Sequence, residues 1–221
     1  MILEELRTHV LQTAMLLPKY NLVWMAGGTV CARDPQTGYV VVTPSGLDYE
    51  SLNPDDMTVT DMDMNLIEGR FRPSVALNLW TGFMRARPEL NAVVHTHSPY
   101  ATAFSTAFSV VYEQIPVITE TMADWFGQPV KVTRYLSVED PEFSTLPVEV
   151  MGDGYAVLLG NHGPITVGKT LEHALERAVT LEEAARTYSI ARTISTPVSV
   201  TEKQARASFD YYHNRYGQKK P

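Results

Sequence analysis

Cysteine is almost missing from this 221-residue chain. Cys31 is the only one, which excludes an intramolecular disulfide and a zinc knuckle built on paired thiolates. Positive charge is scarce too. Lys and Arg total 18 against 25 Asp and Glu, a formal net charge of −7. That balance argues against a nucleic-acid partner held by bulk positive charge. No apolar run approaches the ~20 residues that span a bilayer, so no membrane partner is expected. The chain starts Met1-Ile2-Leu3-Glu4-Glu5, with acid where a signal peptide carries base. The expected location is therefore the cytoplasm. What is present is apolar material: 44% hydrophobic and 19% charged residues, enough for a folded core in a single domain over 1–221.

Apolar spacing predicts a helix over 2–20, ended by Pro18. A short buried run at 22–25 reads as a strand leading into a loop. Residues 29–32 and 39–42 read as a hairpin around the turn-rich 34–38. Strands are expected at 57–61, 92–94, 130–133, 155–159 and 165–167. A further apolar run lies at 115–118. Helices are expected at 75–85, 99–107 and 199–212, with a polar tail over 217–221. The clearest helix is 170–192, with Thr170 as its N-cap. The acidic stretch 139–142 reads as solvated. Alternating helices and strands with hairpins predict an α/β fold on a mixed or antiparallel sheet.

Three of six histidines stand in suggestive places. His95 and His97 flank one residue at the exit of an apolar run, and in an extended segment i and i+2 share a side. His162 leaves a second apolar run inside a glycine-flanked loop. If the two strand ends adjoin, three imidazoles converge, and three histidines leaving an open position make a catalytic zinc-type site. Manganese, iron, cobalt and nickel suit the same ligand type. His9 and His173 fall on helices, where a structural role is the expectation. Gly27-Gly28-Thr29, Thr43-Pro44-Ser45-Gly46 and Ser74, before a helix start, offer backbone N–H groups and hydroxyls of the kind that bind anions. Turns use the same residues for other reasons. Gly27-Gly28 lacks the spacing of a dinucleotide fingerprint, and Gly168-Lys169-Thr170 lacks that of a phosphate loop.

These segments, in order, resemble the class II aldolase/adducin family, which includes L-fuculose-1-phosphate aldolase and L-ribulose-5-phosphate 4-epimerase. The matching pieces are Gly28-Thr29-Val30, Thr43-Pro44-Ser45-Gly46, Arg72-Pro73-Ser74, His95-Thr96-His97-Ser98, Gly160-Asn161-His162-Gly163-Pro164 and Leu181-Glu182-Glu183. The resemblance runs over about 3–218. It implies a three-layer α/β/α fold around a largely antiparallel sheet, and a cyclic homotetramer. It makes His95, His97 and His162 ligands of a divalent ion, commonly Zn2+, otherwise Mn2+ or Co2+. That ion binds a hydroxy-carbonyl substrate, a ketose phosphate in this family, and stabilises an enediolate during retro-aldol chemistry. Gly28, Thr29, Ser45, Gly46 and Ser74 fall at phosphate- and substrate-binding positions. Asp124 resembles the epimerase acid/base, and Tyr216 its C-terminal active-site tyrosine, which in an oligomer can reach a neighbour's site.

The departures are as informative. Thr29 replaces a usual Asn, Val75 a usual Ser, and Ala76 a carboxylate that serves as acid/base or lies near the metal. An alanine neither moves a proton nor ligates metal. His213 is offset from the epimerase's second catalytic histidine. An epimerase, an aldolase with an altered substrate, a decarboxylase, and a non-catalytic or engineered relative remain open at this point. The intact histidines speak against the last. A less polar pocket around Ala76 and Trp80 would suit a bulkier or less phosphorylated ligand.

Overall fold

A computed structural model describes residues 1–108 and 114–218. In chain order the elements are α1 (Glu4–Lys19), β1 (Thr29–Arg33), β2 (Val40–Val42), β3 (Thr58–Thr60), β4 (Leu66–Glu68), α2 (Leu77–Ala86), β5 (Ala92–His95) and α3 (Pro99–Phe108). They continue as β6 (Gln114–Ile115), α4 (Glu120–Phe126), β7 (Val130–Tyr135), α5 (Leu146–Met151), β8 (Ala156–Gly160), β9 (Gly163–Gly168), α6 (Leu171–Ile194) and α7 (Glu202–Asn214). The expected tail reaches beyond the described residues at 219–221.

Among the described residues the strands form one nine-stranded sheet in the order β4-β3-β2-β1-β5-β9-β8-β7-β6. Its pairs are antiparallel except β7 with β8, so the sheet is mixed and largely antiparallel. Period-two alternation divides the side chains between its faces. On β1 and β5, Val30, Ala32, Ala92 and Val94 meet α1 and α6 on one face. Cys31 and Val93 meet Leu79, Trp80 and Phe83 of α2 on the other. Helices α3, α4 and α7 join α6 over β7 and β8. The result is a three-layer α/β/α fold.

Local chemistry explains the boundaries. Thr170 caps α6, its hydroxyl accepting the His173 N–H at 3.3 Å, as the sequence predicts. Pro18 does not end α1, which runs to Lys19. The segment 22–25 is not a strand: Leu22 and Val23 are buried, but Trp24 and Met25 are exposed and Met25 has φ 54°. That left-handed backbone is incompatible with an extended strand. The acidic stretch is less free than expected, because Asp140 and Glu142 both pair with Arg134.

Candidate metal centre

The sheet order makes β5 and β9 neighbours, with β8 beyond. His95 is the last residue of β5 and lies between Thr29 of β1 and Ile165 of β9. His162 sits in the two-residue turn between β8 and β9, where Asn161 takes φ 56°. Asn is among the few residues that tolerate that backbone. Across the turn, the chain after β5 packs against Gly163 so closely that a Cβ there would fall on the Thr96 carbonyl oxygen. Glycine is what lets the hairpin and the His97 segment meet. From behind, the Glu182 carboxylate on α6 accepts the Tyr100 and Ala101 N–H groups, each at 2.9 Å. It thereby fixes the first turn of α3, two residues beyond His97.

The three imidazoles converge. His97 Nε2 lies 3.2 Å from His95 Nε2 and 3.0 Å from His162 Nε2, and the three candidate ligand atoms lie within 4.8 Å of one another. His95 Nδ1 is 2.9 Å from the Pro164 carbonyl. A carbonyl only accepts, so Nδ1 donates, and the neutral ring turns its Nε2 lone pair to the centre. Burial lowers the proton affinity of all three rings. For His95 it acts first, followed by the nearby His162 and His97, and takes the ring well below the usual imidazole range. Burial alone lowers His97. Burial, then the His97 charge, takes His162 to about 4. Neutral nitrogens aimed at one point fit a divalent ion.

These rings open onto a cleft of about 560 Å³. Gly28, Thr29, Ser45, Gly46 and Ser74 line the same cleft. Gly28 is fixed by close approach, since a Cβ would meet Val23 at 2.7 Å and the His95 carbonyl at 2.9 Å. Its own carbonyl accepts the Tyr49 hydroxyl at 2.6 Å. A Pro44–Pro73 bridge joins the Ser45 loop to the Ser74 segment. Ser74 Oγ accepts the Trp80 indole N–H at 3.1 Å and the Ala76 N–H at 3.4 Å, with Thr29 Oγ1 3.4 Å away. With both lone pairs engaged, its remaining function is to donate. Trp80 is fully buried and also packs on His95, ring centroids 5.4 Å apart.

Asp124 and Tyr216 are not among the cleft-lining residues. Asp124 lies on α4 and accepts the Ser208 hydroxyl of α7 at 2.7 Å. Tyr216, just beyond α7, is 63% exposed and stacks on Tyr212. His213 packs between Phe209 and Trp125, and His9 pairs with Glu172 at 2.8 Å. Sequence reasoning missed residues 135–138 and Phe143, which line the cleft's other flank. Nothing in their local pattern marks them, because the sheet order alone brings them there. A larger groove, about 1020 Å³, runs between the start of α1 and the β1–β2 turn. Among the described residues it holds no converging ligand set.

Fold and site together are those of a metal-dependent enzyme of the aldolase/epimerase superfamily. The chain belongs to the family of the Class II Aldolase and Adducin N-terminal domain, which matches residues 8–189. It is 35% identical to the L-ribulose-5-phosphate 4-epimerase UlaF of Salmonella paratyphi B, over 99% of this chain and 96% of that protein. UlaF of Salmonella typhi is equally similar over the same shares. Among solved structures, an L-fuculose 1-phosphate aldolase shares the fold at TM-score 0.88 and 23% identity, covering 95% of this chain and 96% of its own. YgbL of Escherichia coli shares it at TM-score 0.82 and 24% identity, covering 93% and 98%. Among the described residues, no helix is long and apolar enough to cross a membrane.

Proposed function

We propose that this chain is a divalent-metal-dependent epimerase acting on a ketose phosphate by retro-aldol chemistry, closest in kind to L-ribulose-5-phosphate 4-epimerase. One observation carries the reading: three imidazole Nε2 atoms meet inside the cleft that also gathers the glycines and hydroxyls suited to an anion. Identity to UlaF along nearly the whole chain favours epimerase over aldolase. His95, His97 and His162 would hold the ion, taken as Zn2+, with Mn2+ and Co2+ as alternatives. When bound, such an ion supplies Lewis acidity for charge that develops as a C–C bond beside a carbonyl breaks.

The chain's own groups do the rest. Ser74 donates its hydroxyl proton to an anionic oxygen, supported by Thr29, Ser45 and the Gly28 and Gly46 backbone. Asp124 and Tyr216 are the acid–base pair, a carboxylate and a phenol that accept and return a proton. Both lie away from their own chain's cleft, so they serve that of a neighbouring copy in a cytoplasmic homotetramer with no nucleic-acid or membrane partner. A second reading is a decarboxylase. It is favoured by Ala76, since loss of CO2 from a carboxylate needs no base, whereas retro-aldol cleavage needs one to take the substrate's hydroxyl proton. The test is a product panel. Metal-loaded protein is incubated with pentulose phosphates, ketose phosphates and β-keto acids, and products are resolved by NMR and mass. Isomerised pentulose phosphate without cleavage is the expected result. Free aldehyde would make it an aldolase, and CO2 a decarboxylase. No product from protein holding a stoichiometric ion would overturn the catalytic reading.

A further inference from the structure

One buried indole touches both the hydroxyls and the histidines of the cleft. Trp80 lies on α2, is fully buried and lines the cleft. Its ring packs on that of His95, with 5.4 Å between centroids and 30° between planes. Its N–H donates to Ser74 Oγ at 3.1 Å. Ser74 stands at the entry of α2. Its carbonyl accepts the Leu77 N–H at 3.1 Å, and its Oγ the Ala76 N–H at 3.4 Å. A serine that only started a helix would need no more than those two bonds. Its hydroxyl would keep an open lone pair, and its proton would turn freely. The indole fills that second lone pair, and since an indole N–H only donates, the roles cannot reverse. Two outlets are then left for the Ser74 proton: Thr29 Oγ1, 3.4 Å away, and the cleft itself. Both lead to the cleft, because Thr29 lines it too.

Among the described residues that line the cleft there is no Asp, Glu, Lys or Arg. An anion there meets no cationic side chain of this chain and depends on N–H and O–H donors already aimed at it. A donor held in place needs no reordering when the anion arrives. We propose that Trp80 is a positioning residue, holding the Ser74 hydroxyl as a donor toward the anionic group of the substrate. It acts through Ser74 and not on the substrate itself. This deepens the epimerase reading and rests on it for the identity of that group as a phosphate.

The test is a double-mutant cycle read with inorganic phosphate, titrated into the Zn2+-loaded full chain. Trp80→Phe keeps an aromatic ring beside His95 and removes the N–H. It should weaken phosphate binding about fivefold, the worth of one oriented hydrogen bond. Added to Ser74→Ala, the same substitution should change phosphate affinity by less than about twofold, since the group it acts through is gone. Zn2+ affinity, by chelator competition, should stay that of the wild type. A second readout needs no change at Trp80. The chain has three tryptophans, so Trp24→Phe and Trp125→Phe assign the Trp80 indole 15N–H resonance by elimination. That resonance should move on phosphate binding in the wild type and stay still in Ser74→Ala. Equal weakening by Trp80→Phe with and without Ser74 overturns the proposal. So does a parallel loss of Zn2+ affinity, a still resonance in the wild type, or no phosphate binding by the wild type. Turnover is scored separately. Isomerised pentulose phosphate with an additive cycle keeps the epimerase reading and rejects the role of Trp80, and a coupled cycle with no product in the panel does the reverse.

Discussion

At His95 a backbone carbonyl decides what a side chain can do. The Pro164 oxygen takes the Nδ1 proton, so the other nitrogen is available as a ligand without any acid nearby. His213 shows the opposite use of burial. Its Nε2 is buried with no hydrogen-bond partner. Burial, then Arg177 and His173, lower its proton affinity, opposed by the Asp124 carbonyl and carboxylate. The sign follows directly. Above about pH 6.5 the ring is neutral in both folded and unfolded chains and adds no pH dependence. Below that, the unfolded chain takes up a proton that the folded ring resists, so stability falls as pH falls. His213→Phe should therefore flatten the urea-midpoint profile between pH 6.5 and 5, by at most about 1.4 kcal/mol per pH unit. A profile parallel to wild type would contradict this.

At the scale of elements, the β8–β9 hairpin is the part on which the centre depends most. Gly163 has no room for a Cβ against Thr96, so Gly163→Ala must push the hairpin, and His162 with it, away from His97. Overpacking of this kind costs about 1–3 kcal/mol. Metal affinity should fall by at least about tenfold, because a displaced ligand no longer shares the common point. Wild-type affinity by competitive chelator titration would refute it. Elements were legible in the sequence where the period was long or the cap explicit, as in α1, α6 and the β1–β2 hairpin. Helices α4 and α5 span seven and six residues, too short for a helical period to show. Strand β4 exposes Leu66 and Ile67, so no buried alternation announced it. The histidines were legible because each follows an apolar strand. The β7 flank was not, since facing the cleft depends on β7 running parallel beside β8, a long-range fact absent from local pattern.

For the whole molecule, the proposed homotetramer would place the acid–base pair and the metal ligands of one chain in different sites. Asp124 and Tyr216 ride on the packed α4–α7 pair, outside the cleft. His97→Ala and Tyr216→Phe should each abolish most activity alone. Co-expressed in equal amounts in a closed ring of copies, they should restore about one quarter of wild-type activity, since half the clefts are intact and half of those meet an intact neighbour. No recovery in mixed oligomers, confirmed by mass, would mean that each chain completes its own site.

The order of strands in the sheet has a consequence for divergence. The histidines, the glycines and hydroxyls, and residues 135–138 reach the cleft from separate strand ends, so a substitution at 135–138 leaves the imidazoles and the hydroxyls where they are. One flank of the cleft is thereby free to change its lining by drift at a single strand terminus. The meeting point of the three imidazoles is inherited unchanged.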